Sequence, residues 1–213
     1  MIVIVDYGMG NLKSVANACK LLGKTAKISC SPDVLKKASK IIFPGVGHFG
    51  RAVKELKKRK LWTLLREKVK DGVSFLGICL GMQMLFEESA EAPGIKGLGL
   101  IKGQVKRFNN QSLAVPHMGW NQIKIQPACR QAGNAKCKMQ NSNIFKGIKE
   151  GGFFYFVHSY YCQPEDKSLV ITTTDYGVEF ASSLNKGNLW AVQFHAEKSQ
   201  KLGLRVFANF LQM

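Results

Sequence analysis

Acid is scarce in this 213-residue chain: 14 Asp and Glu stand against 31 Lys and Arg, a formal net charge of +17. Other shortages narrow the reading further. No apolar run approaches the ~20 residues that a membrane-spanning helix needs. The opening MIVIVDYG has neither a basic leader nor a small-residue cleavage site, so it reads as a first strand and the expected setting is cytoplasmic. The six cysteines, at 19, 30, 79, 129, 137 and 162, include no CxxC pair, which argues against a zinc ribbon. A chain of this length can bury a sizeable core and does not need a disulfide framework. Gly8-x-Gly10 follows the first strand but lacks the third glycine of a dinucleotide fingerprint, so a tight turn is expected there.

Much of the excess charge lies in Lys54, Lys57, Lys58, Arg59 and Lys60, with Arg66, Lys68 and Lys70 close behind. A basic field can attract nucleic acid or anionic substrates. These charges, however, fall at helix-surface spacing between apolar Val53, Leu56, Leu61, Leu64, Leu65 and Val69. That pattern is a solvated helix face. No aromatics interleave with the lysines to stack on bases, so a non-enzymatic basic binding module is only an alternative reading.

Strand and helix patterns alternate. Strands are expected at Met1–Val5, Thr25–Ser29, Lys40–Phe43 and Val73–Leu76, with helices at Leu12–Leu22 and Phe49–Lys60. The second half is β-rich: Leu98–Phe108, Trp120–Ile125, Phe153–Val157, Leu169–Thr174, Val178–Leu184 and Leu189–Phe194, before a closing helix at Leu202–Leu211. The expected fold class is α/β: a single domain over residues 1–213, a mixed and largely parallel sheet flanked by helices, and additional antiparallel strands in the C-terminal half. Pro116 to Trp120 reads as a connection, and Trp120 suits either a contact surface or a core. Residues 126–143, which hold Cys129 and Cys137, have no apolar period and read as a loop or insertion.

The chemistry concentrates at Val73–Phe86, VSFLGICLGMQMLF. An apolar strand, then Gly77-x-Cys79-x-Gly81, then a helical pattern is the cysteine counterpart of a nucleophile elbow. Cys79 is therefore the expected nucleophile, at a strand end and under a helix N-terminus that favours its thiolate. A nucleophile needs a base and the base an orienting group. His195 and Glu197 close the last strand two residues apart, and strand alternation would put both on one face. His158 also ends a strand and competes as base, but it has Tyr160, not a carboxylate, two residues on. Pro44-Gly45-Val46-Gly47 is either a plain turn or a segment presenting an N–H to an oxyanion. His48 is a possible base by type, but its place before the helical Phe49–Lys60 favours a surface or capping role.

These residues match a family. GICLGMQ and the late FHAEKS resemble the triad-type, class I glutamine amidotransferases. DYGMGNLKS, FPGVGHFG, PHMGWN and YFVHSYY resemble the branch of that family that supplies ammonia for histidine biosynthesis, with only the segment around 128–140 outside the match. The resemblance implies a Cys79–His195–Glu197 triad that hydrolyses glutamine through a glutamyl thioester. It implies an oxyanion hole from Leu80 and the Gly47 peptide, and a glutamine pocket of Gly47, Gln83, Ser159 and Tyr160. It implies a heterodimer in which ammonia passes to a (β/α)8-barrel cyclase, with no metal, cofactor, nucleic acid or membrane involved. A paralogue feeding another synthetase, such as one aminating a surface sugar, shares these residues and is the alternative. One departure stands out: Ala196 sits where the family usually has proline.

Overall fold

The computed structural model describes residues 1–109, 113–126 and 143–213. The expected loop at 126–143, with Cys129, Cys137 and the segment around 128–140, falls almost wholly outside them.

The chain begins β1 (Ile2–Val5), α1 (Leu12–Leu21), β2 (Ala26–Ser29), α2 (Pro32–Lys36), β3 (Lys40–Gly45), α3 (Phe49–Lys58), α4 (Leu61–Lys70) and β4 (Ser74–Cys79). It continues with α5 (Leu80–Gln83), β5 (Glu88–Ser89), β6 (Gly103–Arg107), β7 (His117–Gln122) and β8 (Lys124–Ile125). The last part holds β9 (Phe153–His158), β10 (Tyr160–Pro164), β11 (Val170–Asp175), β12 (Glu179–Lys186), β13 (Leu189–Val192) and α6 (Gln200–Gln212).

The main sheet has the order β2-β1-β3-β4-β13-β12-β11-β8. Its first five strands are parallel, and β12, β11 and β8 run antiparallel. Two smaller sheets, β10-β6-β5 and β7-β9, are added in the second half. This is the mixed, largely parallel sheet that the patterns predict.

Both faces of the main sheet are covered, so its central strands are apolar on both sides. Val3, Val5, Ile41, Phe43 and Phe75 point into a core with residues of α3 and α4. Their neighbours Ile4, Ile42, Leu76 and Ile78 point the other way, toward α1 and α6. The β4–β13 register, Val192 opposite Ile78, brings the carboxyl ends of β3, β4 and β13 to one edge. Open α/β sheets place their ligands at that edge.

The helix expected through Lys60 ends at Lys58. Lys60 adopts φ 57°, a left-handed step that starts α4 in a new direction. The helix after Cys79 is also shorter than its pattern suggests. Met84, Leu85 and Phe86 are all buried, and three consecutive positions cannot share one helix face. The chain instead turns, and the carbonyls of Met84, Leu85 and Phe86 accept N–H groups from residues 98–101. Those N–H groups come from the stretch expected to begin a strand at Leu98, and strand pairing there starts only at Gly103. Conversely, the expected connection Pro116–Trp120 belongs mostly to β7, paired residue for residue with β9.

Candidate active site

Cys79 closes β4 and caps α5 with φ 54° and ψ −111°, one of three non-glycine residues at positive φ among those described. An L-residue tolerates this conformation only when its surroundings enforce it. The two glycines of the elbow show how. A β-carbon at Gly77 would lie 3.0 Å from the Gly81 carbonyl oxygen, and one at Gly81 would collide with the Phe43 carbonyl. The turn is a close packing of three backbone stretches, with Cys79 thrust out of it. The helix that follows, α5, is a single turn, shorter than the helix expected from the sequence.

A cavity of about 240 Å³ opens on Cys79. Every residue assigned from sequence to the site lines it except Glu197: Gly47, Leu80, Gln83, Ser159, Tyr160 and His195 join Cys79 in its wall. Glu197 lies behind His195, whose Nδ1 is 2.8 Å from Glu197 Oε1; both side chains are 2% exposed. The carboxylate therefore accepts from Nδ1–H, and Nε2 makes no hydrogen bond to the described residues.

Strand alternation is not what aligns this pair. β13 ends at Val192, and Ala196–Lys198 form one 3-10 turn capped by His195. His195 N–H donates to the Tyr155 carbonyl at 2.9 Å, which ends the β13 pairing and starts the turn. Ser199 locks it: its hydroxyl donates to the His195 carbonyl at 2.7 Å and accepts from Tyr155 N–H at 3.0 Å.

Burial alone would disfavour the His195 cation. The charge of Cys79 and the hydrogen bond that Nδ1–H donates to Glu197 outweigh it and raise the imidazole to about 10. The imidazole is thus held toward its cation. His158, the competing base, is held in the opposite state. Its Nδ1 lies 2.8 Å from the Tyr160 carbonyl, which can only accept, so Nδ1 carries the proton. Its Nε2, 3.0 Å from His117 Nδ1, then accepts from that ring, and His117 Nε2 accepts from Asn121 Nδ2 at 3.2 Å. The chain of donors closes only with both rings neutral. Burial accordingly lowers His117 to about 4 and His158 to about 3. His158 is a wall of the cavity with its lone pair already used. His48 caps α3, accepting from Gly50 N–H at 3.1 Å.

Three wall or support groups have no part in the sequence reading. Gln193 is wholly buried and places Nε2 3.8 Å from Cys79 Sγ, while its Oε1 accepts from Gln83 Nε2 at 3.3 Å. A glutamine inside the apolar run Leu189–Phe194 is a signal that could have been read. Gln83 also donates to the Tyr160 carbonyl at 2.9 Å. Val157 offers its carbonyl 3.8 Å from Cys79 Sγ. Glu91 adds the cavity's carboxylate, its Oε2 accepting from Phe49 N–H at 2.6 Å; nothing in its surrounding sequence marks it.

Among the described residues no cluster of His, Cys, Asp or Glu is arranged to hold a metal ion, and no helix is long and apolar enough to cross a membrane. On the outer face of β7–β9, Met118, Trp120 and Phe153 are exposed side by side with half-buried Tyr155 and Val157.

The chain is similar to known proteins over its whole length. Curated relatives named imidazole glycerol phosphate synthase subunit HisH are 46% identical over 213 residues in Methanocaldococcus jannaschii, covering all of both chains. The Pyrococcus furiosus relative of that name is 45% identical, with 100% of this chain and 98% of the other covered. In Aquifex aeolicus the figure is 44%, with 98% and 94% covered. A solved structure titled as a glutamine amidotransferase superposes with a TM-score of 0.73 at 19% identity, covering 100% of this chain and 98% of that one. The structure of PurLQS from Thermotoga maritima gives 0.70 at 18%, covering 99% and 97%; these two share the fold. The family model for glutamine amidotransferase class-I matches residues 3–213, and the chain belongs to that family.

Proposed function

We infer that this chain is the glutamine-hydrolysing subunit of an imidazole glycerol phosphate synthase, acting in the cytoplasm on the histidine pathway. The observation that carries the chemistry is the meeting of Cys79, His195 and the Gly47–Leu80 edge in one cavity, with Glu197 behind the imidazole. The names of its full-length relatives support the pathway.

The Cys79 thiolate attacks the carboxamide carbon of glutamine. Charge builds on the amide oxygen, where the N–H groups of Leu80 and Gly47 receive it. Such preorganised donors are worth about 10²–10³ in rate each. The His195 imidazolium gives its proton to the departing nitrogen, and ammonia leaves a glutamyl thioester. Neutral His195 then takes a proton from water, the hydroxide equivalent opens the thioester, and glutamate leaves. Glu197 keeps the working nitrogen facing Cys79 through both steps. Gln83, Ser159 and Tyr160 shape the pocket, and the Glu91 carboxylate suits the substrate's α-ammonium group.

Ammonia released into water is protonated and loses its nucleophilicity, so a partner must take it up directly. The apolar strip of Met118, Trp120 and Phe153 fits such a partner, and we assign it to a (β/α)8-barrel cyclase in a heterodimer. The test is a steady-state assay of the chain alone and with the cyclase and its ligand. Hydrolysis stimulated more than tenfold, with Cys79→Ser sparing only ammonia-dependent synthesis, is the expected result. Loss of ammonia-dependent synthesis in that variant would give Cys79 a structural role. Stimulation only by a different synthetase would reassign the ammonia.

A further inference from the structure

Tyr7 carries a buried polar atom that pairs with none of the described residues. The residue follows β1, is wholly buried, and leans on Phe43 with ring centroids 5.2 Å apart. Its hydroxyl is buried and has no hydrogen-bond partner among the described residues. Burial, and then the charge of Cys79, raise its pKa far above the ordinary range, so it stays a neutral O–H. Phenylalanine would fill the same space without an unpaired hydroxyl, and an unpaired buried hydroxyl costs stability. A native group of this kind calls for a use.

Its location indicates one. The oxygen abuts Gly45, where any β-carbon would collide with it and would also lie 3.0 Å from Leu80 Cβ and 3.1 Å from Gly81 N. Gly45 stands opposite Cys79 in the β3–β4 register. The hydroxyl thus sits where the two backbone stretches of the oxyanion edge meet. Val46, Gly47, Cys79 and Leu80 line the cavity, and Tyr7 lies outside its wall.

We propose that Tyr7 is a positioning residue whose O–H is held for the Pro44–Gly47 segment, donating to a carbonyl there when the Val46–Gly47 peptide turns its N–H toward Cys79. The inference rests on the glutaminase reading. In a planar trans peptide the N–H and C=O point opposite ways, so an N–H brought into the cavity sends its carbonyl out of it. A carbonyl turned back toward the buried Tyr7–Gly45 contact needs a donor. Gly47, at φ 99°, gives the segment freedom to turn. Tyr7 answers both needs at once, because the unpaired hydroxyl and the displaced carbonyl satisfy each other. No bond or proton changes hands.

The experiment is Tyr7→Phe in the complex with the cyclase and its ligand. One neutral hydrogen bond predicts that kcat for glutamine hydrolysis falls about fivefold, with KM for glutamine and ammonia-dependent synthesis unchanged. The Tm of the free variant should hold or rise, since an unpaired hydroxyl has been removed. A second readout uses the wild type labelled at tyrosine Cζ, with the Tyr7 signal assigned by its loss in the variant. That signal should shift between the free chain and the complex acylated by a glutamine analogue. An unchanged kcat, an unmoved Tyr7 signal, or a lost fivefold accompanied by a fallen Tm overturns the assignment. A wild-type complex that hydrolyses no glutamine overturns the glutaminase reading along with it.

Discussion

Two buried histidines stand at the mouth of the same cavity in opposite states. His195 is held toward its cation and His158 toward its neutral form, though both lie near strand ends and both are almost fully enclosed. Burial acts on both in the same direction. What differs is the company each keeps: Glu197 and the Cys79 charge beside one, the His117 ring and a backbone carbonyl beside the other. Residue type names a candidate base; its neighbours decide whether its lone pair is free.

The sharpest break of this contrast is at the chemistry. His195→Asn should lower stimulated glutamine hydrolysis by about 10²–10⁴, the range of a general acid–base group. It should sit near Cys79→Ser, because members of a triad act as a unit and their losses do not add. His158→Asn should lose less than about tenfold. Equal collapse in both histidine variants, measured as kcat/KM, would erase the distinction.

The same contrast should appear in stability. For His117 and His158 the folded values, about 4 and about 3, lie below the unfolded 6.5. The unfolded chain binds more protons there, so stability is present above pH 6.5 and falls as pH drops toward those values, by a few kcal/mol at about 1.4 kcal/mol per unit. For His195 the folded value, about 10, lies above 6.5. Its contribution is full below pH 6.5 and is lost as pH rises through about 10. Denaturant melts across pH should show both limbs; His158→Phe should flatten the acid limb and Cys79→Ala the alkaline one. A variant that flattens the wrong limb would contradict the pairing drawn for its histidine.

Binding gives a smaller effect. Trp120→Ala should weaken cyclase association by about 2 kcal/mol if the exposed strip is the docking face, with titration calorimetry as the check. The smallest effect belongs to Ala196. It opens the 3-10 turn after His195, and proline is preorganised for the first position of such a turn. Ala196→Pro should stabilise by about 0.4–1 kcal/mol and leave the triad working. A lowered Tm would show that the Ala196 N–H or its dihedral matters.

The parallel strands and the elbow were legible because their signals are local: an apolar run, then glycines where backbones touch. Cys79 and its frame are read from five residues. The His195–Glu197 pair was found by spacing, but for a reason the structure replaces, since a 3-10 turn and not strand pleating aligns the two side chains. His158 could not be excluded from sequence, because His117, 41 residues away, neutralises its claim only after β7 and β9 pair. Glu91 escaped for the same reason, whereas Gln193, an amide inside the apolar run Leu189–Phe194, left a mark that could have been read. Their places at the cavity come from long-range packing, and the helix that seemed to run to Phe86 was cut short by the segment at 98–101.

Strand β9 carries two duties on alternate residues. Phe154, Phe156 and His158 face the interior and the cavity, while Phe153, Tyr155 and Val157 face outward on the strip. Point substitutions on the outward set can drift with whatever partner is present, and the inward set need not notice. A single-residue insertion or deletion within the strand has no such freedom, because it exchanges the two faces wholesale. Length, more than identity, is what inheritance must keep here: the exposed strip and the cavity wall are free to vary separately by substitution and are bound together by frame.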